Sequence, residues 1–306
     1  MDLSNLFSRM IVLFIYILVG FIAAKFKIID DDTVKKVNKV LLYIGQPAMI
    51  ISSVLDTELT MGIGDVVELF CLAMLMQIIL LVFAFVSTPL YVRKREDRGL
   101  FTFMIAFGNV GFMGIPVMSA LFGSGAVFMA SICMVPFFLF VYSVGVMLLK
   151  GKAKGEKIDF RFLLNPALIS TFIAVALFFA KLPLPKELLE ASSGLAGVLI
   201  PLSMVVIGAN LGMSRFSELV VDWRMYAMCF IKLIASPVLM FFICRSFVSN
   251  EIYLGVLVVS AAMPVAVLAS MLSTEYGTDI RVASRGVFIS TLLSLITIPF
   301  VLNLLF

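Results

Sequence analysis

The sequence predicts an all-α membrane protein: ten transmembrane helices forming two inverted five-helix repeats, with broken crossover helices in spans 4 and 9. Three observations carry this expectation. Of 306 residues, 62% are hydrophobic and 14% are charged, with a mean hydropathy of +1.15, whereas a soluble domain devotes about a quarter of its residues to charge. Apolar runs of about 20 residues, the length that crosses ~30 Å of hydrocarbon, recur along the chain. Short motifs of the first half return in the second half, in the same order and at a nearly constant offset. The apolar runs are continuous rather than alternating, which excludes a transmembrane β-barrel.

The spans are expected at residues 5–26, 38–56, 66–91, 99–121, 125–149, 163–181, 193–212, 224–247, 251–273 and 282–304. Basic residues orient them, because cytoplasmic loops concentrate lysine and arginine. The loops after the odd-numbered spans hold eighteen, from Lys25 to Arg285, and the opposite side holds four: Arg9, Lys181, Lys186 and Arg245. Both termini should therefore face away from the cytoplasm, in the cell membrane. The remaining base, Lys232, falls inside span 8. Since topology explains the net charge of +4, no nucleic-acid partner is expected. The start of the chain, with one acid and one base before the first apolar run, reads as a retained helix rather than a cleaved leader.

The residue inventory narrows the chemistry. Histidine is absent, and Cys71, Cys133, Cys229 and Cys244 all lie in apolar runs without C-x-x-C spacing. No metal site, disulfide framework or cofactor is expected. An intramembrane enzyme would lack both histidine and a mid-span carboxylate pair, so the chain reads as a non-enzyme. A channel would show a repeated filter loop.

The repeat emerges from four matched pairs. "AAKFKI" (Ala23–Ile28) corresponds to "FAKLPL" (Phe179–Leu184), "IGQPAMI" (Ile44–Ile50) to "LIPLSMV" (Leu199–Val205), and "LFGSGAVFMAS" (Leu121–Ser131) to "EYGTDIRVAS" (Glu275–Ser284). The fourth pair is Asn109–Pro116 with "AAMPVAVLAS" (Ala261–Ser270). Five spans per copy is an odd number, so the second copy enters the membrane upside down, as in many secondary transporters. The halves divide as residues 1–150 and 163–306, joined by a short cytoplasmic loop at 151–162.

Breaks in spans 4 and 9 suggest the site. Gly108, Gly111 and Gly114 permit unwound torsions, and Pro116 and Pro264 each remove a helical hydrogen bond. Pro47 and Pro201 mark parallel breaks in spans 2 and 7. Backbone freed at such depth is tolerated only where protein buries it or water reaches it. Two half-helix N-termini would then offer N–H groups and partial positive charge to a carboxylate. The expected binding residues are Asn109, Val110, Gly111, Gly114, Gln46, Pro264 and Val265. Lys232 is read either as a snorkelling base or, with Glu275, as a charge-balancing or coupling group. Asn210, Ser270 and Ser273 are further polar residues at depth; Pro136, Pro237 and Pro299 are expected to kink helices, and Trp223 to anchor an interface.

Those same stretches resemble the auxin efflux carrier family. "GNVGFMGIPVMSALFG" (Gly108–Gly123) is similar to its span-4 crossover, and "AAMPVAVLASMLSTEYG" (Ala261–Gly277) to its span-9 crossover. "VNKVLLYIGQPAMI" (Val37–Ile50), "LLNPALIS" (Leu163–Ser170) and "IPLSMVVIGANLG" (Ile200–Gly212) are similar to further blocks. The resemblance implies a fold like the bile-acid sodium symporters, with a scaffold domain of spans 1, 2, 6 and 7 and a transport domain of spans 3–5 and 8–10. It implies a homodimer in the lipid bilayer that carries a small organic anion, an auxin-like monocarboxylate or a malate- or malonate-type dicarboxylate, by elevator-type alternating access. An uncoupled anion uniporter is the alternative. Asn109 matches the crossover asparagine that contacts substrate, and Pro116 and Pro264 match the helix breaks. The chain departs from the plant pattern where Gly108 replaces proline, where Val265 replaces glutamine, and where a short stretch (Lys150–Phe162) replaces a long central loop.

Overall fold

The computed structural model describes residues 3–55, 61–150, 166–180, 185–213 and 223–306. Among them the chain is helical nearly throughout, and helix lies over each apolar segment read from the sequence. In order these are α1 (Leu3–Lys25), α2 (Asp31–Val40), α3 (Gln46–Leu55), α4 (Ile63–Tyr91), α5 (Arg95–Ala106), α6 (Ile115–Phe122), α7 (Ser124–Phe140) and α8 (Val146–Lys150). They continue as α9 (Pro166–Ala180), α10 (Lys186–Met213), α11 (Trp223–Phe230), α12 (Ser236–Arg245), α13 (Glu251–Ala262), α14 (Leu268–Tyr276) and α15 (Ile280–Leu305). Five helical stretches among the described residues are long and apolar enough to cross a membrane: Ile63–Tyr91, Ser124–Lys150, Lys186–Met213, Trp223–Arg245 and Ile280–Leu305. The protein is an integral membrane protein by this measure and by the apolar side chains it leaves exposed on α1, α4 and α10.

Helix starts follow capping chemistry. Asp30 caps α2, its Oδ1 accepting from the Thr33 amide at 2.8 Å and the Thr33 hydroxyl at 2.6 Å; these two donors hold the Asp30 carboxyl below its ordinary range. Asn250 caps α13 and Asp279 caps α15 in the same way.

Proline acts differently from the expectation. Three wide π-helical turns, Leu41–Gly45, Val110–Gly114 and Ile231–Ala235, each end two residues before a proline: Pro47, Pro116 and Pro237. A proline has no N–H for the carbonyl four residues back, and its ring crowds that carbonyl. Widening the turn relieves both problems without opening the helix. Pro47 and Pro116 therefore sit at the starts of α3 and α6, and Pro201 lies inside α10, which continues on both sides of it.

The chain divides into two compact units. The first comprises Met1–Leu69, Gly111–Val135 and Leu163–Ser214. Its centre is the pairing of α1 with α10, with α3 packed on α10 and α9 on α3. Glycine makes the first pairing close: a Cβ on Gly20 would collide with the Val205 carbonyl, and one on Gly208 with the Ile17 carbonyl. Small residues let helix backbones approach in just this way.

The second unit comprises Phe70–Val110, Pro136–Phe162 and Arg215–Phe306. Here α13 packs on α12 and α15, α14 on α15, and α5 on α8, α11 and α15. The ion pair Arg224–Asp97 (2.8 Å) ties the start of α11 to the start of α5. Buried aromatic rings fill the space beside α5, with Phe103, Phe107 and Phe137 in succession.

Gly208→Ala should destabilise the first unit by about 1–3 kcal/mol, the usual cost of overpacking. Gly197→Ala, on the same helix with open space around it, should leave stability unchanged. Thermal unfolding of the purified protein in detergent checks the pair.

Candidate functional site

The second unit holds two interrupted helices that cross. Helix α5 ends at Ala106, Phe107 is extended (φ −113°, ψ 109°), and helical turns resume at Val110. Helix α13 ends at Ala262, Met263 is extended (φ −63°, ψ 142°), and α14 begins at Leu268. At the crossing Gly108 and Val265 form an antiparallel β-bridge. The Asn109 amide donates to the Pro264 carbonyl at 2.7 Å, and the Ala266 amide donates to the Phe107 carbonyl at 3.1 Å. Each broken helix thus satisfies backbone groups of the other, as an apolar interior requires.

Side chains complete the accounting. The Val265 amide donates to the Ser290 hydroxyl of α15 at 3.0 Å. Gln77 of α4 donates from Nε2 to the Ala106 carbonyl, the last of α5, at 3.4 Å. Past the crossing, Ala269 and Ser270 donate back to Ala266 and Val267, tightening the first turn of α14.

Gly108 is required at the bridge by space. A Cβ there would stand 3.2 Å from Met263 Cβ, from the Met263 carbonyl oxygen and from Lys232 Nζ. Asn109, buried with 6% of its surface exposed, follows in a tight turn that the Val110 amide closes on the Gly108 carbonyl at 2.9 Å. The crossing thus carries the Asn109 amide side chain, with the Lys232 amine lying against Gly108.

Of the expected site residues, the crossing brings together Asn109, Val110, Pro264 and Val265, and Pro264 stands inside the gap between α13 and α14. The span-4 gap lies at Phe107–Asn109, well before Pro116, because the glycine bridge interrupts that helix and the proline only widens it. Gln46, Gly111 and Gly114 belong to the first unit. There the Gln46 side chain is buried, its Nε2 facing Met134 sulfur at 3.9 Å and lying 3.1 Å from where a Cβ on Gly111 would stand. Glu275 is near the C-terminal end of α14, and its side chain lies outside the described residues.

Three participants escaped the sequence reading: Gln77, Ser290 and Ala266. Gln77 carried a usable signal, since it precedes Lys232 by 155 positions, close to the spacing that relates the repeated motifs. Ser290 and Ala266 carried none, because their part depends on which backbone groups the crossing leaves exposed.

Among the described residues no cluster of acids or cysteines could hold a metal ion. What the crossing offers is a pre-formed, buried polar point in an apolar unit, which suits a membrane transporter. The particular family follows from sequence comparison: the chain matches the membrane transport protein family over residues 5–302 and belongs to it, the auxin efflux carrier family. It is 26% identical over 297 residues to an uncharacterized transporter of Methanocaldococcus jannaschii, covering 94% of this chain and 95% of that one. An uncharacterized transporter of Methanothermobacter thermautotrophicus is 27% identical over 292 residues, covering 93% of each chain. A Rhizobium meliloti protein described as "Putative malonate transporter" is 25% identical over 309 residues, covering 94% of this chain and 92% of its own.

Ser290→Ala should leave the Val265 amide without its partner, at a cost of about 1–3 kcal/mol for a buried unsatisfied donor. Hydrogen exchange in the 263–267 segment should accelerate in that variant, while exchange in α10 stays unchanged.

Proposed function

We propose that this protein is a secondary transporter that moves a small organic anion across the cell membrane by elevator-type alternating access. The observation that supports the reading most strongly is the reciprocal pairing of two broken helices at Asn109–Pro264 and Phe107–Ala266. Such a crossing keeps its polar groups in a fixed arrangement without water, and half-helix N-termini with an adjacent amide side chain favour a carboxylate.

In this reading the ten apolar segments are ten spans in two inverted repeats, with residues 1–150 and 163–306 as the copies and both termini outside. Spans 3–5 and 8–10 form the moving domain and spans 1, 2, 6 and 7 the scaffold of a homodimer. Asn109 is the principal cargo ligand, assisted by the backbone at Val110 and Val265. The description of the Rhizobium relative makes malonate the first cargo to try. Lys232 and Glu275 remain the candidate charge-balancing groups.

Malonate uptake into proteoliposomes should be saturable and should compete with related carboxylates. Asn109→Ala should lower uptake at sub-saturating malonate by roughly 10–100-fold, since one hydrogen bond to a charged group contributes about 1.5–3 kcal/mol. Unchanged uptake in Asn109→Ala would remove this residue from the site.

A further inference from the structure

The second unit buries a lysine, Lys232, which pairs with no carboxylate among the described residues. Lys232 sits in the wide turn Ile231–Ala235, which packs against α5, α13 and α15. It is 0% exposed, and its Nζ has no hydrogen-bond partner. That nitrogen lies 3.2 Å from the place a Cβ would take on Gly108, so a missing side chain is what lets it reach the bridge.

The described carboxylates of the same unit all belong to helix ends. Asp97 pairs with Arg224, Glu251 pairs with Arg245, Glu96 is in the first turn of α5, and Asp279 caps α15. Gln77, one repeat spacing earlier than Lys232, offers its helix end a neutral amide. A buried charge without a partner is strongly unfavourable until an opposite charge comes near. An anion held at Asn109, the residue after Gly108, would be that charge.

We propose that Lys232 travels with the crossing as a fixed counter-charge, so that a monocarboxylate is carried as a neutral complex and a dicarboxylate as a complex with one net negative charge. The inference rests on the crossing being the organic-anion site. Lys232 is a positioning charge in this scheme, not a ligand, because it lies against the backbone at Gly108.

The test is exchange across proteoliposomes clamped at defined membrane potentials, with malonate, a dianion at neutral pH, on both sides. Only the loaded carrier crosses during exchange, so voltage sensitivity reports the charge of the loaded complex. Each uncompensated charge that crosses the whole field changes the ratio of inward to outward rates by about 50-fold per 100 mV. Wild type should respond as one charge, K232M as two, and K232R as wild type. Propionate exchange by wild type should be insensitive to potential, a comparison that holds even if K232M fails to fold. Equal voltage sensitivity of malonate exchange in wild type and K232M overturns the inference, as does propionate exchange in wild type as steep as malonate exchange. Absence of carboxylate exchange in wild type overturns the transport reading itself, and this inference with it.

Discussion

Two backbone hydrogen bonds, from Asn109 to Pro264 and from Ala266 to Phe107, are what the rest of the second unit depends on. A helix interrupted in an apolar interior strands amides and carbonyls at several kcal/mol apiece. Two interruptions placed against each other settle part of that cost reciprocally, in a bridge short enough to need only one residue pair. Ser290 and Gln77 take up groups the bridge leaves over. The bridge also brings Gly108 against the buried Lys232 amine, one residue before the Asn109 amide side chain.

The same accounting explains where helices do not break. Pro47, Pro116 and Pro237 each follow a wide turn that absorbs the missing hydrogen bond, and Pro201 is carried within a helix of 28 residues. Glycine does the sharper work. Gly108 opens the crossing, and Gly20 and Gly208 let α1 and α10 of the first unit approach to backbone contact. Side-chain absence, more than proline, sets the geometry in both units.

Much of the fold was legible in the sequence because apolar run length is a direct consequence of bilayer thickness. Helix lies over every segment so assigned, and the interruption in span 9 falls at Pro264 as expected. In span 4 the sequence offers Gly108, Gly111, Gly114 and Pro116 as places to break, and the gap lies at Phe107–Asn109. All four residues weaken a helix in sequence terms, and only the partner strand decides which one yields. Asn109 was visible as an amide at depth. Ser290 and Gln77 were hidden, since a hydroxyl or amide at depth has many possible partners until the crossing exists. Lys232 stood out as a base inside a span, yet its nearness to Gly108 joins positions more than a hundred residues apart and could not be read from spacing.

Electrostatics gives the arrangement its direction. Half-helix N-termini carry partial positive charge, the Lys232 amine lies buried beside Gly108, and the unit's described acids are confined to helix ends. That distribution is what supports reading the cargo as a small anion. The central claim, that the crossing itself receives the anion, is tested most directly by solid-state NMR of asparagine-labelled protein in bilayers during malonate titration. The account predicts saturable shifts of both the backbone and side-chain nitrogen signals of Asn109, assigned by their loss in an Asn109 variant. Signals that stay fixed while the same preparation transports malonate would contradict it.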